Sequence, residues 1–141
     1  MLGFVGRFEH SLDVKGRLIL PVRFRPDFDK GGNLTQHFEG CLALWTPSEF
    51  ARQLAEMLEL SRSGSADDRN RARVWSSGAS VVDVDRQGRF AIPASARGFA
   101  DLDGDVLVIG SIDHIEIWNP RRFEARVIPA EEYFSGSGLA E

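Results

Sequence analysis

The first apolar positions of the chain, Phe4, Phe8 and Leu12, fall at even spacing, and Arg7, Glu9 and Ser11 take the opposite parity. That period of two predicts a half-buried strand with Arg7 and Glu9 facing outward. Asp13 to Gly16 then predicts a chain reversal, because glycine is free to take positive φ and aspartate can bond the turn backbone. Leu18 to Leu20 reads as a short apolar strand stopped at Pro21, which cannot donate to a ladder, with a short helical turn after it. Leu34 to Phe38 and Cys41 to Trp45 flank Glu39-Gly40 as a hairpin. Thr46, Pro47 and Glu49 supply an N-cap, an N1 proline and the N3 carboxylate of a capping box. From Phe50, the positions Leu54, Met57 and Leu58 keep helical spacing, with Arg52, Glu56 and Glu59 on the wet face of a helix packed on the strands. Ser61 to Ser65 breaks that helix, and Ala66 to Trp75 has the composition of a second, with Arg69, Arg71 and Arg73 spread around it.

The pattern then repeats. Asp13-Val14-Lys15-Gly16-Arg17-Leu18-Ile19-Leu20-Pro21 returns 72 residues later as Asp85-Arg86-Gln87-Gly88-Arg89-Phe90-Ala91-Ile92-Pro93, and the spacing carries on to Arg25 and Arg97. A second block, Leu44-Trp45-Thr46-Pro47 through Phe50, returns 73 residues later as Ile117-Trp118-Asn119-Pro120 through Phe123. Two blocks in the same order at nearly one offset define a duplicated unit of about 45 residues. The second copy predicts a strand Phe90 to Ile92 stopped at Pro93, a hairpin of Val106 to Ile109 and Ile115 to Trp118 around Ser111 to His114, and a helix opened by Asn119 and Pro120. The organisation expected is a first half at 4–50, a helical connector at 51–80, a second half at 81–127 and a C-terminal tail at 128–141. Each half has four short strands, and the last residues, with Gly136 and Gly138, are expected to be loose.

The 141 residues are 43% apolar and 27% charged, which is globular composition. No apolar run approaches the roughly 18 to 20 residues of a bilayer span, and no charged start leads into an apolar stretch. With Cys41 as the single cysteine, nothing asks for an oxidising compartment, so a soluble, unexported, cytoplasmic protein is expected. A net charge of -4 argues against a nucleic-acid binder, yet the charge is uneven. Between Gly6 and Arg25, five cations (Arg7, Lys15, Arg17, Arg23, Arg25) face two acids (Glu9, Asp13), a local balance of +3. Asp101, Asp103, Asp105, Glu131 and Glu132 carry acidic excess elsewhere.

Candidate catalytic chemistry is thin. Asp13 and Asp85 invite comparison with the dyad of aspartic peptidases, but that dyad needs Ser or Thr and Gly close behind each Asp, and here Arg follows each turn glycine. His10, His37, His114 and Cys41 lack ligand-like spacing and read as structural residues on or beside strands. No phosphate-cradling glycine loop stands out, nor any Ser, His and acid set. Trp45 and Trp118 recur beside helix caps, which favours core packing over base stacking, and Trp75 is the third tryptophan. No enzyme, metal, cofactor or small-molecule substrate is expected.

Two Asp-x-x-Gly-Arg turns about 72 residues apart, each followed by an apolar triplet, resemble the MraZ family of bacterial transcriptional regulators, itself related to AbrB-type regulators. The stretch Leu12-Asp13-Val14-Lys15-Gly16-Arg17-Leu18, the Gly88-Arg89 turn and Glu116-Ile117-Trp118 carry the likeness over nearly the whole chain. The resemblance implies a mainly β fold with packing helices (α+β), built as a duplicated swapped-hairpin barrel from two pseudo-symmetric halves. It also implies a homo-oligomeric ring and a cytoplasmic, nucleoid-associated repressor that reads short promoter repeats of the division and cell-wall gene cluster in double-stranded DNA.

Chemistry assigns residues to that role. Arginine is a planar fork able to bond phosphate, or guanine O6 and N7, in bidentate fashion, so Arg17 and Arg89 lead the DNA-binding set. Lys15 and Arg86 flank them on the same turns, Arg23 and Arg25 extend the first patch, and Arg97 is the counterpart in the second. Asp13, Gly16, Asp85 and Gly88 are expected to build the turns, with the aspartates capping them and pairing with Arg17 and Arg89. The competing functional class is a scaffold whose arginines make only subunit salt bridges.

Overall fold

The computed structural model describes residues 3–136. It shows a mixed α/β chain with antiparallel strands: β1 Arg7–Ser11, β2 Arg17–Ile19, a 3-10 helix Val22–Phe28, β3 Gly32–Gln36, β4 Leu42–Trp45, α1 Pro47–Ser61, α2 Ala66–Ser77, β5 Ser80–Val82, β6 Arg89–Ala91, α3 Ala94–Ala100, β7 Asp105–Gly110, β8 Ile115–Trp118 and α4 Pro120–Phe134. The helical turn expected after Pro21 is the 3-10 helix, and α3 follows Pro93 at the matching place in the second repeat.

Six strands form one sheet in the order β1-β7-β8-β4-β3-β5, and β2 and β6 form a separate pair. Instead of a closed barrel, β1 and β5 are the ends of an open sheet. Prolines follow β2 and β6 closely, each strand is three residues long, and the two pair with one another. The pairing is reciprocal between the repeats. In the small pair Leu18 lies opposite Phe90, with Arg17 against Ala91 and Ile19 against Arg89. In the large sheet Ala43 lies opposite Glu116, with Leu42 against Ile117 and Leu44 against Ile115. The outer strands are exchanged: β1 pairs with β7 of the second repeat, and β5 pairs with β3 of the first.

Alternation decides what is buried. Leu34, Leu42, Leu44, Val106, Val108, Ile115 and Ile117 share one core with Leu18, Leu20, Phe90 and Ile92 of the small pair and with Phe24 and Phe28 of the 3-10 helix. Phe4 closes it, edge-on to Phe24 at 5.3 Å and stacked on Phe28 at 5.7 Å. The opposite parity of β4 and β8 presents Cys41, Ala43, Trp45, Glu116 and Trp118 to the other face. There Trp118, Cys41 and Leu107 pack with Phe123 of α4, and both recurring tryptophans are buried.

Several expectations shift in detail. Thr46 Oγ1 accepts the Glu49 N–H at 3.3 Å, whereas the Glu49 carboxylate accepts from Arg52 rather than reaching back to complete a capping box. Asn119 Oδ1 caps α4 by accepting from Arg121 N and Arg122 N. On α1 the half-buried side is Phe50, Gln53, Met57 and Leu60, and Leu54 and Leu58 are exposed. The helix turns toward α2, where Phe50 stacks on Trp75 at 5.3 Å, instead of lying flat on the strands. β3 ends at Gln36, so Phe38 lies outside the ladder and exposed. α4 runs through Pro129 to Phe134, with Arg7 bonded to Glu131 at 3.0 Å, so residues 128–134 are helical. Gly138 and the final residues fall outside the described ones.

Phe90 is 1% exposed at the centre of the β2/β6 pair. Phe90→Ala is expected to lower unfolding stability by about 3–5 kcal/mol, measured by urea denaturation.

Candidate nucleic-acid interface

The two turns are built by the same atoms. Asp13 Oδ1 accepts the backbone N–H groups of Lys15 and Arg17, both at 2.9 Å, and its Oδ2 accepts from Arg17 Nε at 2.7 Å. Asp85 Oδ1 accepts from Gln87 N and Arg89 N, both at 2.9 Å, and its Oδ2 from Arg89 Nε at 2.9 Å. Gly16 at φ 75° and Gly88 at φ 82° take the left-handed conformation that closes each reversal. The aspartates are thus turn builders, each bonded to its own loop, which is not the shared-proton arrangement of a peptidase dyad. The backbone N–H of Arg17 does most to hold the Asp13 carboxyl below its ordinary value, and that of Arg89 does the same for Asp85.

Arginines 25 and 97 change places relative to the sequence expectation. Arg97 of α3 lies over Gly16 of the first turn, where a Cβ would come 2.6 Å from its Nη1. Arg25 of the 3-10 helix lies over Gly88 of the second, where a Cβ would come 2.8 Å from its Nη2. The cause is the antiparallel β2/β6 pair, which returns the segment after each strand to the turn before its partner. Backbone bonds fix the exchange, Leu20 N–H to Gly88 O at 2.7 Å and Ile92 N–H to Gly16 O at 3.0 Å. Arg25 Nε also donates to Leu20 O at 2.9 Å, while Arg97 Nε is buried without a protein acceptor.

The remaining candidates lie at the rim. Lys15, Arg23 and Arg86 are exposed, and Arg17 and Arg89 are half-buried. Each of these two spends only its Nε on its aspartate, and among the described residues no protein partner takes their terminal Nη groups. Val14, at the first turn's tip, is fully exposed. Around Gly16 stand Lys15, Arg17 and Arg97, and around Gly88 stand Arg86, Arg89 and Arg25. The aspartates neutralise one cation apiece, so both turns keep a surplus of positive charge suited to polyanions.

One cluster escaped sequence reasoning. His114 Nδ1 bonds Asp113 Oδ1 at 2.7 Å, and its Nε2 bonds Glu116 Oε2 at 2.9 Å. Trp118 Nε1–H donates to Glu116 Oε1 at 2.9 Å. Burial alone would lower the His114 pKa, but the hydrogen bonds to Glu116 and Asp113 outweigh it and raise it. His37 joins from the β3–β4 hairpin. The signal in the sequence was slight: His-x-Glu on a strand puts both side chains on one face, but His37 lies far away along the chain.

The folded carboxyls of Asp13 and Asp85 sit below their ordinary value of 3.8, so their bonds add stability above that value and are lost as pH falls through the lowered one. Asp13→Asn is expected to be less stable than the parent at pH 7, and the gap is expected to narrow in acid. Urea midpoints across the pH range measure it.

The MraZ protein family matches residues 4–72 and 76–135. The transcriptional regulator MraZ of Roseiflexus sp. strain RS-1 is 39% identical over 86% of this chain and 84% of its own length. The protein of the same name from Pediococcus pentosaceus is 38% identical over 93% and 91%, and that from Kocuria rhizophila is 40% identical over 94% and 92%. No helix among the described residues is long and apolar enough to cross a membrane. The chain belongs to the MraZ family, and these relatives are transcriptional regulators by name.

Proposed function

We propose that this chain is a sequence-specific DNA-binding repressor that contacts duplex DNA through its two Asp-x-x-Gly-Arg turns. The observation that carries the reading is the matched geometry of those turns: each holds an arginine by Nε on its own aspartate and leaves its Nη groups without a partner among the described residues, with a second arginine against the turn glycine. A guanidinium oriented in this way is prepared for bidentate bonds to phosphate or to a guanine edge at little entropic cost. Arg17 and Arg89 are the reading residues, Lys15, Arg86 and Arg23 hold the backbone, and Arg97 and Arg25 complete the first and second turns respectively.

The wider proposal keeps the division into halves 4–50 and 81–127, a helical connector 51–80 and a tail 128–141. It also keeps the kinship with AbrB-type swapped hairpins, which the reciprocal strand exchange supports. A homo-oligomeric ring presents several pairs of turns to promoter repeats, giving an acidic chain the multivalency that its net charge does not supply. Repression, the division and cell-wall gene cluster as target, and a cytoplasmic, nucleoid-associated location rest on the family resemblance, and no cofactor, small-molecule substrate or catalytic step enters the reading.

The test is a fluorescence-anisotropy titration of duplex DNA from upstream of the protein's own gene against a scrambled duplex. The expected result is preference for the native duplex, with affinity falling roughly a thousandfold as salt rises from about 50 to about 200 mM. Arg17→Ala and Arg89→Ala are each expected to weaken binding by about 1–3 kcal/mol if they read bases, with the oligomer intact by light scattering. A folded, assembled parent chain that ignores DNA at low salt, or charge reversal at Arg17 that breaks assembly instead of binding, would favour the scaffold.

A further inference from the structure

Away from the turns, on the sheet face opposite the main core, two hairpins bring imidazole and carboxylate groups together. His114 immediately precedes β8 and Glu116 lies two residues on within it, with the His114 Nε2 2.9 Å from Glu116 Oε2, and His37 comes directly after β3. One ligating atom from each of the three lies within 4.8 Å of the others. We propose that His37, His114 and Glu116 form a site for a divalent first-row transition ion, with Zn²⁺ the ion that best suits them.

Distances and donor types support this. Zinc takes nitrogen and oxygen ligands at about 2.0–2.2 Å, which at tetrahedral angles sets the donors roughly 3.3–3.6 Å apart. His114 Nε2 and Glu116 Oε2, now 2.9 Å apart, need to separate by only a few tenths of an ångström. Two imidazoles and a carboxylate form a three-ligand set that leaves a position open.

The surroundings are those of an oriented site. Metal-binding histidines characteristically give their other ring nitrogen to a carboxylate, and His114 Nδ1 already bonds Asp113 at 2.7 Å, which aims Nε2 at the cluster. Glu116 is fixed by Trp118 Nε1–H on Oε1, leaving Oε2 on the histidine side. The His114 ring stacks on Trp45 at 4.4 Å, and Trp45 is tied to Thr35 by a 3.0 Å bond. His37 Nδ1 accepts the Glu39 amide at 3.1 Å, so ligation through Nε2 asks for the other tautomer, and the Glu39 carboxylate 3.9 Å away is the acceptor for it. The carboxylates of Glu116 and Glu39 act on His37 against the positive charges of His114 and Arg126. His37 also lines a cavity of about 570 Å³ between β3 and the α1/α2 pair, which gives an ion a way in.

Binding needs no other reactant. The ion takes the place of any proton carried on the ligating atoms, and that proton passes to solvent. A bound ion ties the β3–β4 hairpin to the β7–β8 hairpin and stabilises the fold by mass action. This site is independent of the DNA-binding reading.

The experiment uses the tag-free full chain, titrated with Co²⁺ for its visible d–d bands and then with Zn²⁺ as competitor, with proton release followed by a pH indicator. The expected result is saturable binding at one ion per chain, displacement of Co²⁺ by Zn²⁺, and proton release. His37→Ala, which removes a half-buried ring, and Glu116→Gln are each expected to weaken binding at least tenfold with unchanged far-ultraviolet circular dichroism. Asp113→Asn is expected to weaken it about 10–100-fold. A folded parent chain that gives neither d–d bands nor proton release overturns the proposal, and so does parental affinity in His37→Ala.

Discussion

Antiparallel pairing between equivalent strands of the two repeats is the constraint on which the other features rest. In an antiparallel pair of like strands, the residue at the centre meets its own counterpart, as Leu18 meets Phe90, and everything else exchanges ends. The segment after β2 is therefore delivered to the turn before β6, and the segment after β6 to the turn before β2. Arg25 reaches Gly88 and Arg97 reaches Gly16 for that reason alone. The same logic in the large sheet sets β4 beside β8 and sends β1 and β5 across to the opposite repeat. Neither repeat can finish its sheet, its core or its turn without the other.

This interlocking explains why a site can be symmetric in structure although the charge along the chain is lopsided. Along the sequence, the first turn lies in a basic stretch and the second does not. In space each turn carries one arginine from its own loop and one from the other repeat, so the environments of Arg17 and Arg89 become alike. The aspartates supply order more than charge: three hydrogen bonds to each carboxylate fix the loop and the direction of its arginine. The exposed Val14 and Lys15 at the first tip, against Arg86 and Gln87 at the second, are where the turns differ chemically.

Much of the fold was legible because its signals are local. The period-two strand at Phe4 to Leu12, the stops at Pro21 and Pro93, and the caps at Thr46 and Asn119 each act within a few residues, and each element stands near its expected place. The illegible features depend on partners. Leu54 and Leu58 have the spacing of an inward face, but α2 takes the other side of α1, and no periodicity within α1 encodes where α2 will sit. The open six-stranded sheet in place of a barrel, with β2 and β6 as a separate pair, depends on which strands meet across the chain. The turn residues were legible because they repeat. The placement of Arg25 and Arg97, and the meeting of His37 with His114 and Glu116, arise from pairing across the chain and leave almost no local trace.

The claim that each turn is completed by the opposite repeat is tested most directly by double-mutant cycles in urea unfolding. Gly88→Ala forces a Cβ into both a positive φ and the Arg25 guanidinium, so part of its cost is a contact that Arg25→Ala removes. The account requires Gly88→Ala to couple to Arg25→Ala by about 0.5 kcal/mol or more and to be additive with Arg97→Ala, with the reverse pairing at Gly16. Additivity between Gly88→Ala and Arg25→Ala, together with coupling between Gly88→Ala and Arg97→Ala, would mean that each repeat builds its own turn, and would contradict the account.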